Sequence, residues 1–273
     1  MNNRAIRSFT PQISEACIAD LLTRLKATRF PDAETVEDWR QGLPLSYQQE
    51  LIDYWRTDYD FSRVATRLSE FDNFLTEIEG IDIHFIHKRS RHTSATPLLI
   101  THGWPGSVLE YLDIIEALTN PTAFGGTVDD AFHVVLPALP GFGFSGKPDR
   151  PGTDVPVIAN MWEHLMQRLN YTTFYAHGGD WGSIVTQAVL LQETTGCLSG
   201  HCTLPIVMPD ETTLDNLQAE EIDALESFQF YNEWDSGYSK IQSTRPQTLG
   251  YSLADIFASS PMKPATPMRR RRP

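Results

Sequence analysis

The sequence predicts an α/β protein: a mostly parallel sheet flanked by helices, preceded by a helical meander and followed by further helices. Three observations carry that prediction. Short apolar runs alternate with stretches of helical period through the middle of the chain, the pattern of βαβ units. Two Gly-rich turns, after Ile100 and after Ala176, fall where apolar runs end, and open α/β sheets bind ligands beyond the carboxyl ends of their strands. The 273 residues are 41% hydrophobic and 21% charged, the composition of a soluble globular chain with enough apolar material for one large domain.

The elements follow in order. Ser14 to Thr28 repeats apolar residues at helical spacing through Ile18, Leu21, Leu22 and Leu25, and Phe30-Pro31-Asp32 stops it. The stretch to about Phe71 is rich in aromatics and charge and shows no strand alternation, so it reads as short helices. Asn73 to Glu79 and Ile81 to His87 read as two strands around a turn at Gly80. Pro97 to Ile100 and Phe132 to Leu136 are apolar strands, with a helix from Val108 to Leu118 between them. Val157 to Leu169 is helical by period, Thr173 to Ala176 a strand, Ser183 to Leu191 a helix, and Leu198 to Leu204 the next strand. Thr212 to Phe228 and Phe230 to Ile241 are helical again. The last residues, with Pro261, Pro264, Pro267 and Arg269 to Arg272, have no period and read as a disordered basic tail.

Composition excludes several classes. A net charge of −13 argues against a nucleic-acid partner. Cys17, Cys197 and Cys202 have no metal-ligand spacing, so neither a zinc site nor a disulfide framework is expected, and the thiols read as buried in a reducing compartment. No apolar run reaches the length of about 18 residues that a membrane span needs. The first residues contain no signal-peptide core. A cytoplasmic chain is the expectation.

The segment with most chemistry is His177-Gly178-Gly179-Asp180-Trp181-Gly182-Ser183, between a predicted strand and a predicted helix. Its Gly178-x-Asp180-x-Gly182 frame has the form of a nucleophile elbow, with Asp where many hydrolases carry Ser. The glycines permit a sharp turn. The helix start favours a carboxylate, and a carboxylate suits attack on a strained ether or a carbon–halogen bond, giving an enzyme ester. The bland alternative is an aspartate that merely caps the helix. His102-Gly103-Trp104-Pro105-Gly106-Ser107 follows another strand and fits a loop that lends a backbone N–H to an oxyanion hole. Here the alternative is an ordinary turn ending in the N-cap Ser107.

These two segments, with Pro140-Gly141-Phe142-Gly143-Phe144-Ser145, resemble the epoxide hydrolases of the microsomal type. Phe30-Pro31, Trp55, Tyr59-Asp60-Phe61 and Asn73-Phe74 are similar to that family's N-terminal meander, and Gly237 to Gly250 to one of its lid segments. The resemblance covers roughly residues 9 to 255. It implies an N-terminal extension (1–72), an α/β-hydrolase core (73–205) and a helical lid segment (206–255), leaving 256–273 as the tail. By position, it implies Asp180 as the nucleophile that opens the ring, Trp104 and Trp181 as donors of backbone N–H groups to the oxyanion, and Tyr238 as the proton donor to the epoxide oxygen. The partner it implies is a small epoxide, hydrolysed to a vicinal diol with no metal or organic cofactor. A homodimer is left open.

The family's second step uses a histidine, oriented by a carboxylate, to activate water. The only histidine after His177 is His201, close behind the elbow and a poor base, and the second lid tyrosine is absent. Each further βα unit needs about 30 residues, so the expectation is a truncated family member that forms the ester but turns it over poorly, with an unpaired sheet edge. Alternatives remain at this point: a haloalkane dehalogenase, which also uses an Asp–Trp elbow, and a non-catalytic binding protein.

Overall fold

The computed structural model describes residues 5–193, 195–207 and 210–255. The expected tail at 256–273 lies outside them. A short strand, β1 (Arg7–Phe9), opens the chain, followed by helices α1 (Glu15–Lys26), α2 (Leu45–Thr57) and α3 (Ser62–Ser69). Strands β2 (Asn73–Ile78), β3 (Ile81–Lys88) and β4 (Thr96–Thr101) come next. Then follow α4 (Leu112–Thr119), β5 (Phe132–Pro137), α5 (Val155–Arg168), β6 (Phe174–Gly178), α6 (Trp181–Leu190) and β7 (Cys197–Cys202). Helices α7 (Ala219–Phe230), α8 (Gly237–Thr244) and α9 (Pro246–Asp255) complete the described chain. Its residues fall into two compact units, each drawn from two stretches: 5–14 with 60–205, and 15–59 with 206–255. The first 72 residues are thus shared between the units.

The first unit is built on a sheet of seven strands among the described residues, in the order β1-β2-β3-β5-β4-β6-β7. The β5-β4-β6-β7 half is parallel, because each of its crossovers carries a helix. The β1-β2-β3 half is antiparallel to its neighbours, so the sheet is mixed. Strands β2 and β3 meet at Glu79 (φ 52°) and Gly80 (φ 80°), a two-residue turn with the twist a hairpin prefers. Strand β1 pairs with β2 through Ser8 and Phe74; three residues are too few for alternation to reveal.

Strands β4 and β5 are buried on both faces, which is why they read as unbroken apolar runs. Leu99, Val135, Ile83 and Phe85 face α5 and α6 and pack on Trp162, Leu165, Met166 and Val185. Leu98, Ile100, Val134 and Leu136 face the other way and pack on Leu112 and Ile115 of α4 and Leu68 of α3. Asp154 caps α5 by accepting the Val157 N–H at 3.2 Å. The predicted helix from Val108 begins as a tight turn through Tyr111, and α4 proper starts at Leu112. Strand β7 ends the strand order, and its Leu198 is 58% exposed.

The second unit is helical. Leu25 of α1 and Ile52 of α2 are buried in it. Glu34 accepts the Leu45 N–H at 2.9 Å and so satisfies an amide at the start of α2. The helix predicted from Thr212 begins only at Ala219, after a short 3-10 segment. The one predicted from Phe230 is a π-turn (Tyr231–Asp235) followed by α8.

Candidate active site

Asp180 sits between β6 and α6 with φ 53° and ψ −126°. This is backbone that a non-glycine residue adopts only where the surroundings enforce it. Asp180 occupies the N-cap position of α6, yet its side chain makes no capping hydrogen bond. Instead Oδ1 accepts the backbone N–H of Trp104 at 2.8 Å. The capping alternative therefore lacks its hydrogen bond, and the carboxylate instead engages the loop after β4 at Trp104.

The surroundings that enforce the turn are its glycines. A Cβ at Gly178 would lie 2.0 Å from the Gly182 carbonyl oxygen, and one at Gly182 would lie 1.9 Å from the Thr101 carbonyl oxygen. Both clashes are with backbone and cannot be relieved by a rotamer change. Gly182→Ala is accordingly expected to cost about 3 kcal/mol or more of stability, read by urea denaturation. Gly103 is held as closely: its Cβ would lie 2.4 Å from both Cβ and Oδ1 of Asp180.

Ser183 is fully buried; its hydroxyl donates to the Gly178 carbonyl at 2.8 Å and accepts the Leu204 N–H at 3.2 Å. It stitches the elbow to the chain just beyond β7 and is occupied as a structural group. Trp181 opens α6 with its side chain half exposed. Its amide belongs to the first turn, whose N–H groups lack partners within a helix. Trp104 and Asp180 are thus brought together in the first unit. Tyr238 lies in the second unit, on α8, with its hydroxyl 3.2 Å from that of Tyr231.

Two further residues border the elbow, and sequence reasoning passed over both. The Tyr111 hydroxyl hydrogen-bonds the backbone of Gly179; burial pushes the phenol above its ordinary value, and the charges of Glu110 and Asp180 add to the rise. In the sequence Tyr111 is one residue within the stretch from Val108 to Leu118 that reads as a helix. His102 is fully buried, and burial pulls its pKa down to about 4 although Asp180 opposes the shift. His177 and His201 are occupied with each other, Nδ1 to Nδ1 at 2.9 Å across adjacent strands. An apolar groove of about 420 Å³, lined by Ile100, Ile114, Leu118, Tyr175 and His201 among others, includes neither Asp180 nor Trp104. Among the described residues no group of three or more His, Cys, Asp or Glu side chains is placed to hold a metal ion, and no helix is long and apolar enough to cross a membrane.

A sheet in this order, with a strained acidic turn between a parallel strand and its helix, defines the class as an α/β-hydrolase fold. The comparisons agree. The alpha/beta hydrolase fold family matches residues 96–240, and the Epoxide hydrolase N terminus matches residues 6–111. A Stigmatella aurantiaca protein provisionally named an epoxide hydrolase is 50% identical over 92% of this chain and 57% of its own length. Epoxide hydrolase 1 of Sus scrofa is 32% identical over 93% of this chain and 60% of its own. The structure of Aspergillus niger epoxide hydrolase superposes with a TM-score of 0.81 at 27% identity, covering 93% of this chain and 66% of that one. The chain belongs to the alpha/beta hydrolase fold family, and its N-terminal part and the relatives it matches are those of epoxide hydrolases. It spans about three-fifths of the length of the curated relatives it matches.

Proposed function

We propose that the chain opens an epoxide by attack of an Asp180 carboxylate oxygen on a ring carbon. The new C–O bond forms as the ring C–O bond breaks, and the departing oxygen takes a proton from the Tyr238 phenol, an acid of the kind that can protonate an alkoxide as it forms. The product is a hydroxyalkyl ester of Asp180. Water then adds to the ester carbonyl, its developing charge held by the Trp104 and Trp181 amides, and the collapse releases a vicinal diol and restores the carboxylate, whose proton returns to the Tyr238 phenolate. The observation that carries this reading is the strained Asp180 turn, with its carboxylate held by the Trp104 N–H at 2.8 Å.

Ester cleavage is the slower half in this proposal. Among the described residues, His102 has both ring nitrogens engaged, and His177 and His201 each use Nδ1 on the other; the proposal assigns none of these three to the activation of water. The proposed partner is a small epoxide. A homodimer and a cytoplasmic location belong to the same proposal and are read by sedimentation and by fractionation.

The test is incubation of the whole chain with styrene oxide and, separately, with a haloalkane, followed by intact-mass and halide measurements. A mass gain of one epoxide per chain, with no halide released, is expected. Halide release without epoxide consumption would make the chain a dehalogenase. Thermal stabilisation by epoxide or diol with no covalent product would make it a binding protein.

A further inference from the structure

The loop from Ala138 to Ser145 contains the third sequence motif, and the proposed chemistry gives it no role. Its geometry does. The Ser145 hydroxyl donates to the Ala138 carbonyl at 2.7 Å and accepts the His84 N–H at 3.0 Å. The Gly146 N–H donates to the Asp82 carbonyl at 2.7 Å, and the Ala138 N–H to the His84 carbonyl at 2.8 Å. The loop is therefore pinned to β3, a rigid strand inside the sheet.

His102 joins that loop to the turn facing Asp180. Its Nδ1 lies 3.0 Å from the Gly103 carbonyl oxygen, which can only accept, so Nδ1 carries the proton. Its Nε2 lies 3.1 Å from the Leu139 N–H, which can only donate, so Nε2 is bare. The two bonds fix one neutral tautomer, and the Phe142 ring packs edge-on against the imidazole at 5.4 Å. The next amide along the chain is that of Trp104, on the Asp180 carboxylate.

We propose that His102 is a positioning residue: it clamps the Gly103–Trp104 turn to the Ala138–Ser145 loop and so holds the Trp104 amide on the Asp180 carboxylate. The clamp is a matter of geometry; its consequence for rate rests on the reaction proposed above. Burial keeps the imidazole neutral at ordinary pH, which the clamp requires, because a protonated Nε2 would face the Leu139 N–H as a second donor.

The test uses the whole chain as wild type and as His102→Phe, His102→Gln and His102→Asn. Phe fills the ring volume without either nitrogen. Gln can offer an acceptor to the Leu139 N–H, and Asn a donor to the Gly103 carbonyl. With saturating styrene oxide, His102→Phe is expected to form the Asp180 ester ~10–100-fold more slowly, with little change in the half-saturating concentration. Gln and Asn should each recover part of the rate. A wild-type rate in His102→Phe would overturn the proposal. Two readouts do not depend on activity. Imidazole ¹⁵N NMR of the wild type should show the neutral Nδ1–H tautomer, and an Nε2–H tautomer would overturn the clamp. The Trp104 amide resonance should move in His102→Phe toward its position in Asp180→Ala, and an unmoved resonance would overturn it too. If the wild type forms no ester, the reaction fails while these two spectra still decide the clamp. If a variant does not fold, the wild-type tautomer decides it.

Discussion

Lowering the pH from neutrality to about 4 is expected to remove most of the stability of the sheet-based unit. His84, His87 and His102 lie within its core, and burial pulls each from 6.5 to about 4. For His87 the charges of Arg89 and His133 add to the depression while Asp72 opposes it. Among the described residues the buried Nδ1 of His84 has no hydrogen-bond partner, and its Nε2 bonds the Asn73 side chain at 2.9 Å. A second proton there would be buried with nothing to receive it. The unfolded chain takes up these protons as pH falls through 6.5, and the folded chain resists until about 4. The stabilisation is therefore complete above pH 6.5 and lost progressively between there and 4. Each histidine contributes on the order of 3 kcal/mol over that window, and a domain's whole stability is only about 5–15 kcal/mol. Urea denaturation at a series of pH values reads the effect. A flat profile down to pH 4.5 would show that these imidazoles are hydrated in solution.

Asp180→Asn is expected to lower ester formation by ~10³-fold or more with little loss of fold. The substitution keeps the size of the side chain and an oxygen that can accept the Trp104 N–H at the 2.8 Å contact. It removes the charge and the nucleophilic oxygen. Asparagine is also among the non-glycine residues most tolerant of positive φ, so the strained turn at φ 53° survives. An unchanged melting temperature with no adduct would separate chemistry from structure. A comparable adduct on the peptide that holds position 180 in both forms would remove Asp180 from the reaction.

Much of this was legible in the sequence because the signals are local. The elbow announced itself because Gly178 and Gly182 admit no side chain for reasons of backbone contact alone. The central strands were visible because burial on both faces leaves continuous apolar runs. Other features are tertiary and leave no local mark. Strand β1 is fixed by its pairing with β2, not by three residues of its own. His102 looks like one letter of a Gly-rich turn, and its partner Leu139 is 37 residues away. Tyr111 has a helical neighbour's pattern but reaches the Gly179 backbone. The helices after Met208 were predicted longer than they are because period alone does not register the breaks that the π-turn and the 3-10 segment introduce.

The central claim is that Asp180 is the atom donor in the first covalent step. Intact mass alone does not locate an adduct, because Cys17 is an exposed thiol that an epoxide can alkylate directly. The decisive measurement is acid-quenched peptide mapping of the wild type and of Asp180→Asn after exposure to styrene oxide. The predicted result is a base-labile mass gain on the peptide holding Asp180, absent from Asp180→Asn. A gain confined to Cys17, or one that persists unchanged in Asp180→Asn, would contradict it.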